Sequence, residues 1–360
     1  MKKIAILMHG LGADGIDTLF ANLSAYWDLS RFEITYLLAV DEESKQFWEE
    51  RVLKNGVKVV HVTDLDGKKL YQWPKKFEIA LNEYGPFDAI HVNMDMLNGI
   101  NLKVAKKVGI RNRICHAHTS NNYRPQNVIK WVVKSMYILL MKHWMKRYAT
   151  ERITCSDIAG DYFFGKGCYH TISNGIDLDK FRIKKDFERK TDKLRICTIG
   201  RIVDQKNPYF IANVINELFL IDNHIEFLWV GSGGMDEEVK EYVETLPSKN
   251  VFSFVGVRND VENVLAQCSY FLFPSKYEGF GLVAVEAQAA GLDCFVSDTV
   301  PKDIDCGKCK YISLEKTPAM WAKEIIEYIH SKQKMELDEQ KLNCFDLKYM
   351  AEQLQALYEA

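Results

Sequence analysis

The sequence predicts an α/β protein made of two doubly wound, parallel-sheet (Rossmann-like) domains in series. Short apolar runs, typical of buried parallel strands, alternate with helical patterns along most of the chain. Turns that contain glycine follow four of these runs, after Met8, Ile199, Val230 and Phe273. The carboxyl ends of parallel strands are where such folds bind ligands, so we expect the functional residues at these turns.

The composition is that of a soluble globular protein, with 47% hydrophobic and 27% charged residues in a chain of 360. The net charge of −2 gives no general attraction to nucleic acid or membrane. Neither a signal peptide nor a run long enough to span a bilayer is apparent. Nine scattered cysteines, including an isolated Cys306/Cys309 pair, favour a reduced, cytoplasmic setting.

The first domain, residues 1–176, opens with an apolar strand at Lys3–Met8 and a loop containing Gly10, Gly12 and Gly15. A strand, a glycine loop and a helix in this order also begin dinucleotide-binding folds, so a nicotinamide-dependent oxidoreductase stays open as an alternative. Further strands are predicted at 57–62, 88–92, 112–117 and 152–155.

Two histidines, His116 and His118, lie at the end of the strand predicted at 112–117. We expect their side chains to diverge, with one facing the ligand edge of the sheet and the other packed inside. Isolated histidines are more often structural than catalytic, but this position at a strand's carboxyl end favours a site role for one of them.

A long helix is predicted over residues 127–148. One arc, formed by Val133, Met136, Tyr137, Leu140 and Trp144, is expected to pack on the sheet. The opposite arc carries residues that suit an anionic bilayer surface: Lys130, Trp131, Lys134, Lys142 and Lys146. The alternative is an ordinary solvated helix face.

The second domain, residues 177–343, begins at the turn Asn174–Asp177, and the highly charged stretch Lys180–Lys193 that follows has the composition of a linker. Its strands are predicted at 194–199, 225–230, 251–255, 270–273, 294–296 and 311–313. A separate last segment, residues 344–360, contains a helix predicted at 347–358.

The stretch Phe273–Gly291 combines a strand, a glycine turn and a helix that starts near Leu282. Free N–H groups at a helix start bind anions, and two carboxylates, Glu278 and Glu286, bracket the turn. Anion-binding amides beside carboxylates suit a ligand that carries both phosphate and hydroxyl groups, as a nucleotide sugar does.

A second turn places Arg201 and Lys206 after the strand that ends at Ile199. An arginine fork and a lysine point charge suit a diphosphate, although a solvated loop would also hold such residues. The glycines after Val230, at Gly231 and Gly233, either admit a ligand closely or simply form a flexible turn.

Taken together, these motifs resemble the GT-B glycosyltransferases of family 4, the retaining group with an E-x7-E motif. The resemblance spans nearly the whole chain and rests on four blocks: Glu278–Gly291, Gly200–Pro208, Val230–Gly233 and Asn174–Asp177. It implies a GT-B arrangement with an acceptor-side first domain, a nucleotide-sugar domain, and a C-terminal helix that crosses back to the first domain.

The resemblance also implies roles for individual residues. Glu286 would hold the ribose hydroxyls, Glu278 the donor sugar, and Arg201 with Lys206 the diphosphate. His118 would contact the sugar near its reacting carbon. The remaining donor-binding positions implied are Gly12, Gly15, Gly200, Gly231, Arg258, Gly279, Phe280, Gly281, Leu282 and Val283.

Two segments depart from the family pattern. The loop at 14–17 lacks the usual Gly-Gly-x-Glu, and the segment after Val296 lacks the usual glycine pair. No Asp-x-Asp metal motif appears at the strand ends of the second domain, so we expect a metal-independent enzyme with no cofactor besides the donor.

The sequence therefore predicts a retaining transferase that moves a hexose from a nucleotide-diphosphate sugar, expected to be a UDP-sugar, to a glycan or lipid-linked glycan in cell-surface polysaccharide synthesis. A sugar-nucleotide epimerase of the same fold and the oxidoreductase remain the alternatives.

Overall fold

The computed structural model describes residues 1–13, 15–65, 69–118, 128–182, 193–331 and 333–359, with the side chains of 128–130 excepted. The chain forms two compact units. Unit 1 contains Met1–Gly175 and Leu347–Ala360, and unit 2 contains Ile176–Asp346. The last helix thus belongs to the same unit as the first strand.

Each unit is built on one parallel sheet. The strands are β1 Lys2–Met8, β2 Phe32–Leu38, β3 Lys58–His61, β4 Ala89–Val92, β5 Asn112–Ala117, β6 Glu151–Thr154, β7 His170–Thr171, β8 Leu194–Ile199, β9 Ile225–Val230, β10 Phe252–Gly256, β11 Tyr270–Phe273, β12 Asp293–Ser297 and β13 Cys309–Ile312. Unit 1 has the order β3-β2-β1-β4-β5-β6-β7, and unit 2 has β10-β9-β8-β11-β12-β13. These two doubly wound sheets confirm the predicted fold class.

The helices connect the strands and cover the sheets. They are α1 Gly15–Leu23, α2 Glu49–Lys54, α3 Trp73–Tyr84, α4 Asn98–Val108, α5 Val128–Tyr148, α6 Asp157–Phe163, α7 Leu178–Phe181, α8 Pro208–Ile221, α9 Asp236–Glu244, α10 Val261–Leu265, α11 Leu282–Ala289, α12 Pro318–His330, α13 Glu339–Asn343 and α14 Leu347–Glu359. The principal predicted helices are present, with ends that differ by a few residues.

The strand order reverses once in each sheet. In unit 2, β8 pairs with β9 on one side and with β11 on the other. The loops after β8 and β11 therefore leave the same edge next to each other, which is the ligand-binding position of a doubly wound sheet. In unit 1 the equivalent reversal lies between β1 and β4.

The core of unit 1 lies on both faces of its sheet. One face packs α1 and α14 against the strands, with Leu347, Met350, Leu354 and Tyr358 of the last helix fully buried there. This burial of apolar area stabilises a unit whose two parts are far apart in sequence.

The predicted packing of α5 is wrong in its first half. Val133 and Met136, expected to lie against the sheet, are 62% and 67% exposed. The buried side chains are Met141 and Met145 in the second half. There α5 packs on α4 so closely that a Cβ added at Gly99 would lie 2.6 Å from the carbonyl oxygen of Met141.

Candidate active site

Two neighbouring loops of unit 2 are tied together by hydrogen bonds. The Lys276 amide donates to the Gln205 carbonyl (2.8 Å), and the Gln205 side chain donates to the Tyr277 carbonyl (3.0 Å). Asn207 donates from Nδ2 to the Pro274 carbonyl (3.3 Å). The loops after β8 and β11 therefore form one continuous surface.

Lys206 and Glu278, which lie in two separate sequence motifs, meet on this surface. The Lys206 Nζ lies 2.6 Å from Glu278 Oε1, and both side chains are largely buried, at 19% and 7% exposure. The ammonium also lies 4.8 Å from the centre of the Phe273 ring, a favourable cation–π distance. A cation and a carboxylate are thus held together at the position where a donor is expected.

Arg201 lies at the start of the same loop and is exposed. The chain reaches it through Gly200, whose φ of 150° is a backbone conformation that favours glycine.

The glycines after β9 are explained by backbone packing. A Cβ at Gly231 would lie 2.0 Å from the carbonyl oxygen of Gly200, and one at Gly233 would lie 2.3 Å from that of Ile202. The β8 and β9 loops could not approach each other so closely with larger residues. No ligand is required to account for these glycines.

Helix α11 begins at the end of the second loop. Gly281 precedes it with φ 96°, and no side chain caps the helix start. The N–H groups of the first turn, at Leu282 and Val283, provide the partial positive charge that anions favour. The predicted anion site is therefore compatible with the local backbone, as is the close approach allowed by Gly279.

Phe280, one of the predicted donor-binding positions, lies in the turn before α11. Its side chain is buried and packs edge-to-face on Phe345 at 5.7 Å. The ring therefore anchors the loop, and only the backbone of this residue remains for a ligand.

Glu286 lies in the second turn of α11 and is half-buried. Burial raises the pKa of this carboxyl to about 7; the charge of Glu262 raises it further and that of Lys180 opposes it. The Glu286 carboxyl therefore changes its protonation state near neutral pH.

Arg258, predicted to lie near the base, is exposed and forms a forked pair with Asp260, with both N···O distances 2.7 Å. This hydrogen-bonded pairing raises the pKa of Arg258 and lowers that of Asp260.

The glycine loop of unit 1 follows β1. The amide of Gly12, predicted to face the diphosphate, donates to Asp17 Oδ2 at 2.8 Å. Gly15 starts α1, and a Cβ there would meet nothing within 4 Å. Asp14 lies outside the described residues.

His118 follows β5 and is buried. Its Nε2 is hydrogen-bonded to Asn93 Oδ1 at 3.0 Å, whereas its Nδ1 has no hydrogen-bond partner in the described part of the chain. Burial lowers the pKa of His118 to about 3, so the imidazole is neutral at physiological pH.

The expectation that His116 and His118 diverge is wrong. Their ring centres are only 3.8 Å apart, because residues two positions apart at a strand end share a face. His116 Nδ1 is hydrogen-bonded to His91 Nε2 (3.0 Å), and His91 Nδ1 to the Tyr358 hydroxyl (2.8 Å). Burial lowers the pKa of His91 to about 3 and that of His116 well below its usual value.

The basic residues predicted on α5 have different surroundings. Lys142 donates to the Tyr162 carbonyl and lies 3.7 Å from that ring's centre, so it is held against unit 1. Lys146 is exposed, and Trp131 is 44% exposed. Lys134 is half-buried, and the side chain of Lys130 is outside the described residues.

Sequence reasoning missed several supporting residues. Ser297 and Thr299, where the family's glycine pair is absent, both donate hydroxyls to the Ser275 carbonyl at 2.6 Å and hold the turn after β11. Tyr358 lies more than 200 residues from the histidine it contacts. Pairings so distant in sequence leave no local signal.

Among the residues that the structure describes, no group of three or more His, Cys, Asp or Glu side chains is placed to hold a metal ion.

Comparisons with known proteins agree with this architecture. The family model described as Glycosyl transferases group 1 matches residues 179–341. The chain is 25% identical to a putative glycosyltransferase, EpsF, of Bacillus subtilis, over 90% of this chain and 87% of that protein. It is also 25% identical to the capsular polysaccharide biosynthesis glycosyltransferase CapH of Staphylococcus aureus, over 83% of each chain.

Two further comparisons concern named donors. The chain is 27% identical to an Escherichia coli UDP-Gal:α-D-GlcNAc-diphosphoundecaprenol α-1,3-galactosyltransferase, over 59% of this chain and 58% of that protein. A crystal structure of HepE from Anabaena, solved with UDP-glucose, superposes with a TM-score of 0.80 at 16% identity over the full length of both chains.

Two doubly wound sheets, with the E-x7-E segment Glu278–Glu286 beside the Lys206 loop of unit 2, are the features of a glycosyltransferase of the GT-B fold. The match to the group 1 glycosyl transferase model and the glycosyltransferase relatives support an enzyme of the family 4 type. The comparisons give no support to the epimerase or the oxidoreductase.

Proposed function

We propose that this enzyme transfers a hexose from a UDP-sugar to a lipid-linked glycan acceptor in cell-surface polysaccharide synthesis, with retention of configuration. The observation that carries the donor assignment is the Lys206–Glu278 pair beside the start of α11. The relatives named for capsule synthesis and for a diphosphoundecaprenol acceptor support the acceptor class.

In this proposal the bound donor replaces the contact between Lys206 and Glu278 with contacts of its own. The diphosphate takes Lys206 and Arg201, and the sugar hydroxyls donate to Glu278. Glu286, in the second turn of α11, accepts from the ribose hydroxyls. Each carboxylate then has a hydroxyl partner, and each cation has a phosphate partner.

The chemical step breaks the bond between the sugar C1 and the β-phosphate oxygen, and the bonding electrons pass to that oxygen. The acceptor hydroxyl oxygen forms the new bond to C1 on the same face, and its proton moves to the departing phosphate. Lys206, Arg201 and the α11 amides stabilise the growing charge on the phosphate, which lowers the barrier.

His118 takes no proton in this scheme. Its low pKa leaves the imidazole neutral, so Nδ1 serves only as a hydrogen-bonding group toward the donor sugar. Because protein cations stabilise the leaving group, we propose that no divalent metal is needed. We also propose a cytoplasmic location at the membrane surface, where a lipid-linked acceptor would be met.

The test is a panel of UDP-, GDP- and ADP-sugars, measured by thermal stabilisation and by nucleotide release, with and without EDTA. The expected result is stabilisation and release with UDP-sugars and no change with EDTA. Stabilisation only by another nucleotide would overturn the UDP assignment, and loss of turnover in EDTA would overturn metal independence. An anomer determination by NMR on the product tests retention.

A further inference from the structure

The first half of α5 presents an unusual concentration of exposed apolar side chains. Seven lie within ten residues: Trp131, Val132, Val133, Met136, Tyr137, Leu139 and Leu140. Met136 and Leu139 are 67% and 68% exposed. Such a patch on an otherwise soluble protein marks an interaction surface.

Among the described residues, α4 packs only on the second half of α5, because α4 is the shorter helix. Helix α4 has 11 residues and α5 has 21, or about 16 and 31 Å at 1.5 Å per residue. Close packing at Gly99 and Met141 places α4 against the second half of α5. The first half extends beyond this contact.

One stripe of α5 passes from apolar to basic. Val132, Met136, Leu139, His143 and Arg147 are spaced by three or four residues and so share a face. All five are exposed. The apolar part is at the N-terminal end of this face and the basic part at the C-terminal end.

The adjacent stripe shows the same change. Val133, Tyr137 and Leu140 are exposed, but the next residues on the stripe, Trp144 and Tyr148, are covered by lysines of α4. Lys103 Nζ lies 4.1 Å from the Trp144 ring centre, and Lys106 Nζ lies 5.5 Å from that of Tyr148.

The polar residues of α5 are also of one sign. The helix contains Lys130, Lys134, Lys142, Lys146 and Arg147 and no Asp or Glu. An apolar end beside a basic end matches the acyl layer and the anionic headgroups of a bilayer. None of the described helices is long and apolar enough to cross a membrane.

We propose that unit 1 docks on an anionic phospholipid bilayer through α5, with the apolar first half inserted in the interface and His143, Lys146, Arg147 and the α4 lysines on the headgroups. This differs from the surface predicted from sequence, which relied on Lys142 and omitted the apolar stripes. A second copy of the chain fits this surface less well than a bilayer does, because symmetric packing of two α5 helices would bring their lysines and arginines together. The inference deepens the proposed use of a lipid-linked acceptor, but its test requires neither donor nor acceptor.

The experiment is flotation of the full chain with vesicles of phosphatidylcholine alone and of phosphatidylcholine with phosphatidylglycerol. The wild type is expected to float with the anionic vesicles, and less as salt is raised. A triple variant, Val133→Gln/Met136→Gln/Leu139→Gln, is expected to lose at least tenfold in vesicle partition. Glutamine keeps the helix propensity while removing the apolar surface.

The matched control is Leu220→Gln/Ile221→Gln/Met320→Gln, which replaces three exposed apolar residues of unit 2 and should float like the wild type. Replacing Lys103 and Lys106 with Gln should lower partition into anionic vesicles by roughly fivefold per lysine. Partition into neutral vesicles should not change.

A second measurement does not depend on the variants folding. Hydrogen exchange of the wild type with anionic vesicles is expected to slow in 131–140 and not in α8. The proposal is overturned if the wild type does not float, if the triple variant floats equally well, or if sedimentation shows that this face instead joins two copies. Loss of flotation with normal UDP-sugar hydrolysis separates this outcome from failure of the proposed function.

Discussion

At the residue scale, the pair of Lys206 and Glu278 sets the charge balance of the candidate site. With both side chains largely buried, each neutralises the other in the absence of a ligand. In the proposed function a bound donor replaces this ion pair with two sets of contacts, the diphosphate with Lys206 and the sugar hydroxyls with Glu278.

Replacing Lys206 with Ala should lower kcat for UDP-sugar turnover by about 10²- to 10³-fold, the usual loss when one transition-state charge partner is removed. Lys276→Ala is the matched control, since Lys276 lies in the same pair of loops but its 2.5 Å pair with Asp204 is exposed. The measurement is steady-state nucleotide release. Equal activity of Lys206→Ala and the wild type would contradict the assignment.

Replacing Glu286 with Gln should have opposite effects on the stability of the protein and on its affinity for the donor. The folded pKa of Glu286 is raised to about 7, so the stability it contributes is complete below its unfolded pKa and is lost as pH rises through 7. Glu286→Gln should therefore stabilise the protein at pH 8, by on the order of 1 kcal/mol, and have little effect near pH 5.

The same variant should raise the KM for the donor, because a carboxylate accepts from two hydroxyls better than an amide. In the wild type, donor KM should rise as pH falls below 7. Thermal unfolding at both pH values and donor titration check these effects, and Glu241→Gln on the exposed face of α9 is the control. A stabilisation that is the same at pH 5 and pH 8 would disprove the pKa argument.

At the scale of elements, the site depends on how the loop after β8 is fixed to the loop after β11. Asn207 has a left-handed backbone, φ 59° and ψ 51°, and donates its side-chain amide to the Pro274 carbonyl. It immediately precedes α8 and follows Lys206, so it positions the lysine.

Asn207→Ala should cost about 1–2 kcal/mol of stability, because the left-handed backbone is strained for alanine and the hydrogen bond is lost. Asn207→Gly relieves the strain but still lacks the amide. We expect Gly to restore most of the stability yet leave a severalfold higher donor KM than the wild type. If Gly restored both, Asn207 would be a structural residue only.

At the scale of the whole molecule, the histidines of unit 1 couple its stability to pH. His91, His116 and His118 are buried and neutral, with pKa values depressed by burial, whereas unfolded histidines titrate near 6.5. Their contribution to the free energy of unfolding is fully present above pH 6.5, and it is lost as the pH falls from 6.5 toward 3 because the unfolded histidines take up protons.

Unit 1 should therefore lose up to about 1.4 kcal/mol per histidine for each pH unit below 6.5. Hydrogen exchange at pH 7.5 and pH 5.5, corrected for intrinsic rates, measures this in β4 and β5. Unit 2 is an internal control, because both its histidines, His224 and His330, are exposed, and the raised pKa of Glu286 makes its stability rise as the pH falls over this interval. An equal loss in the two units would contradict the role of the buried cluster.

Much of the fold could be predicted from local pattern. Apolar runs such as Ile4–Met8 and Tyr270–Phe273 lie in observed strands, because a strand buried on both faces requires continuous apolar residues. The start of α11 after Gly281 and the start of α8 at Pro208 could also be predicted, since glycine turns and an N1 proline are local signals.

The sequence by itself determined the two parallel-sheet domains, the transferase motifs and the candidate donor residues. The tertiary structure decided which of them meet: the Lys206–Glu278 pair, the histidine chain ending at Tyr358, and the inward role of Phe280. It also decided which half of α5 is covered, because that depends on the length of α4. Periodicity tells which residues share a face, but only the neighbouring elements determine whether that face is buried.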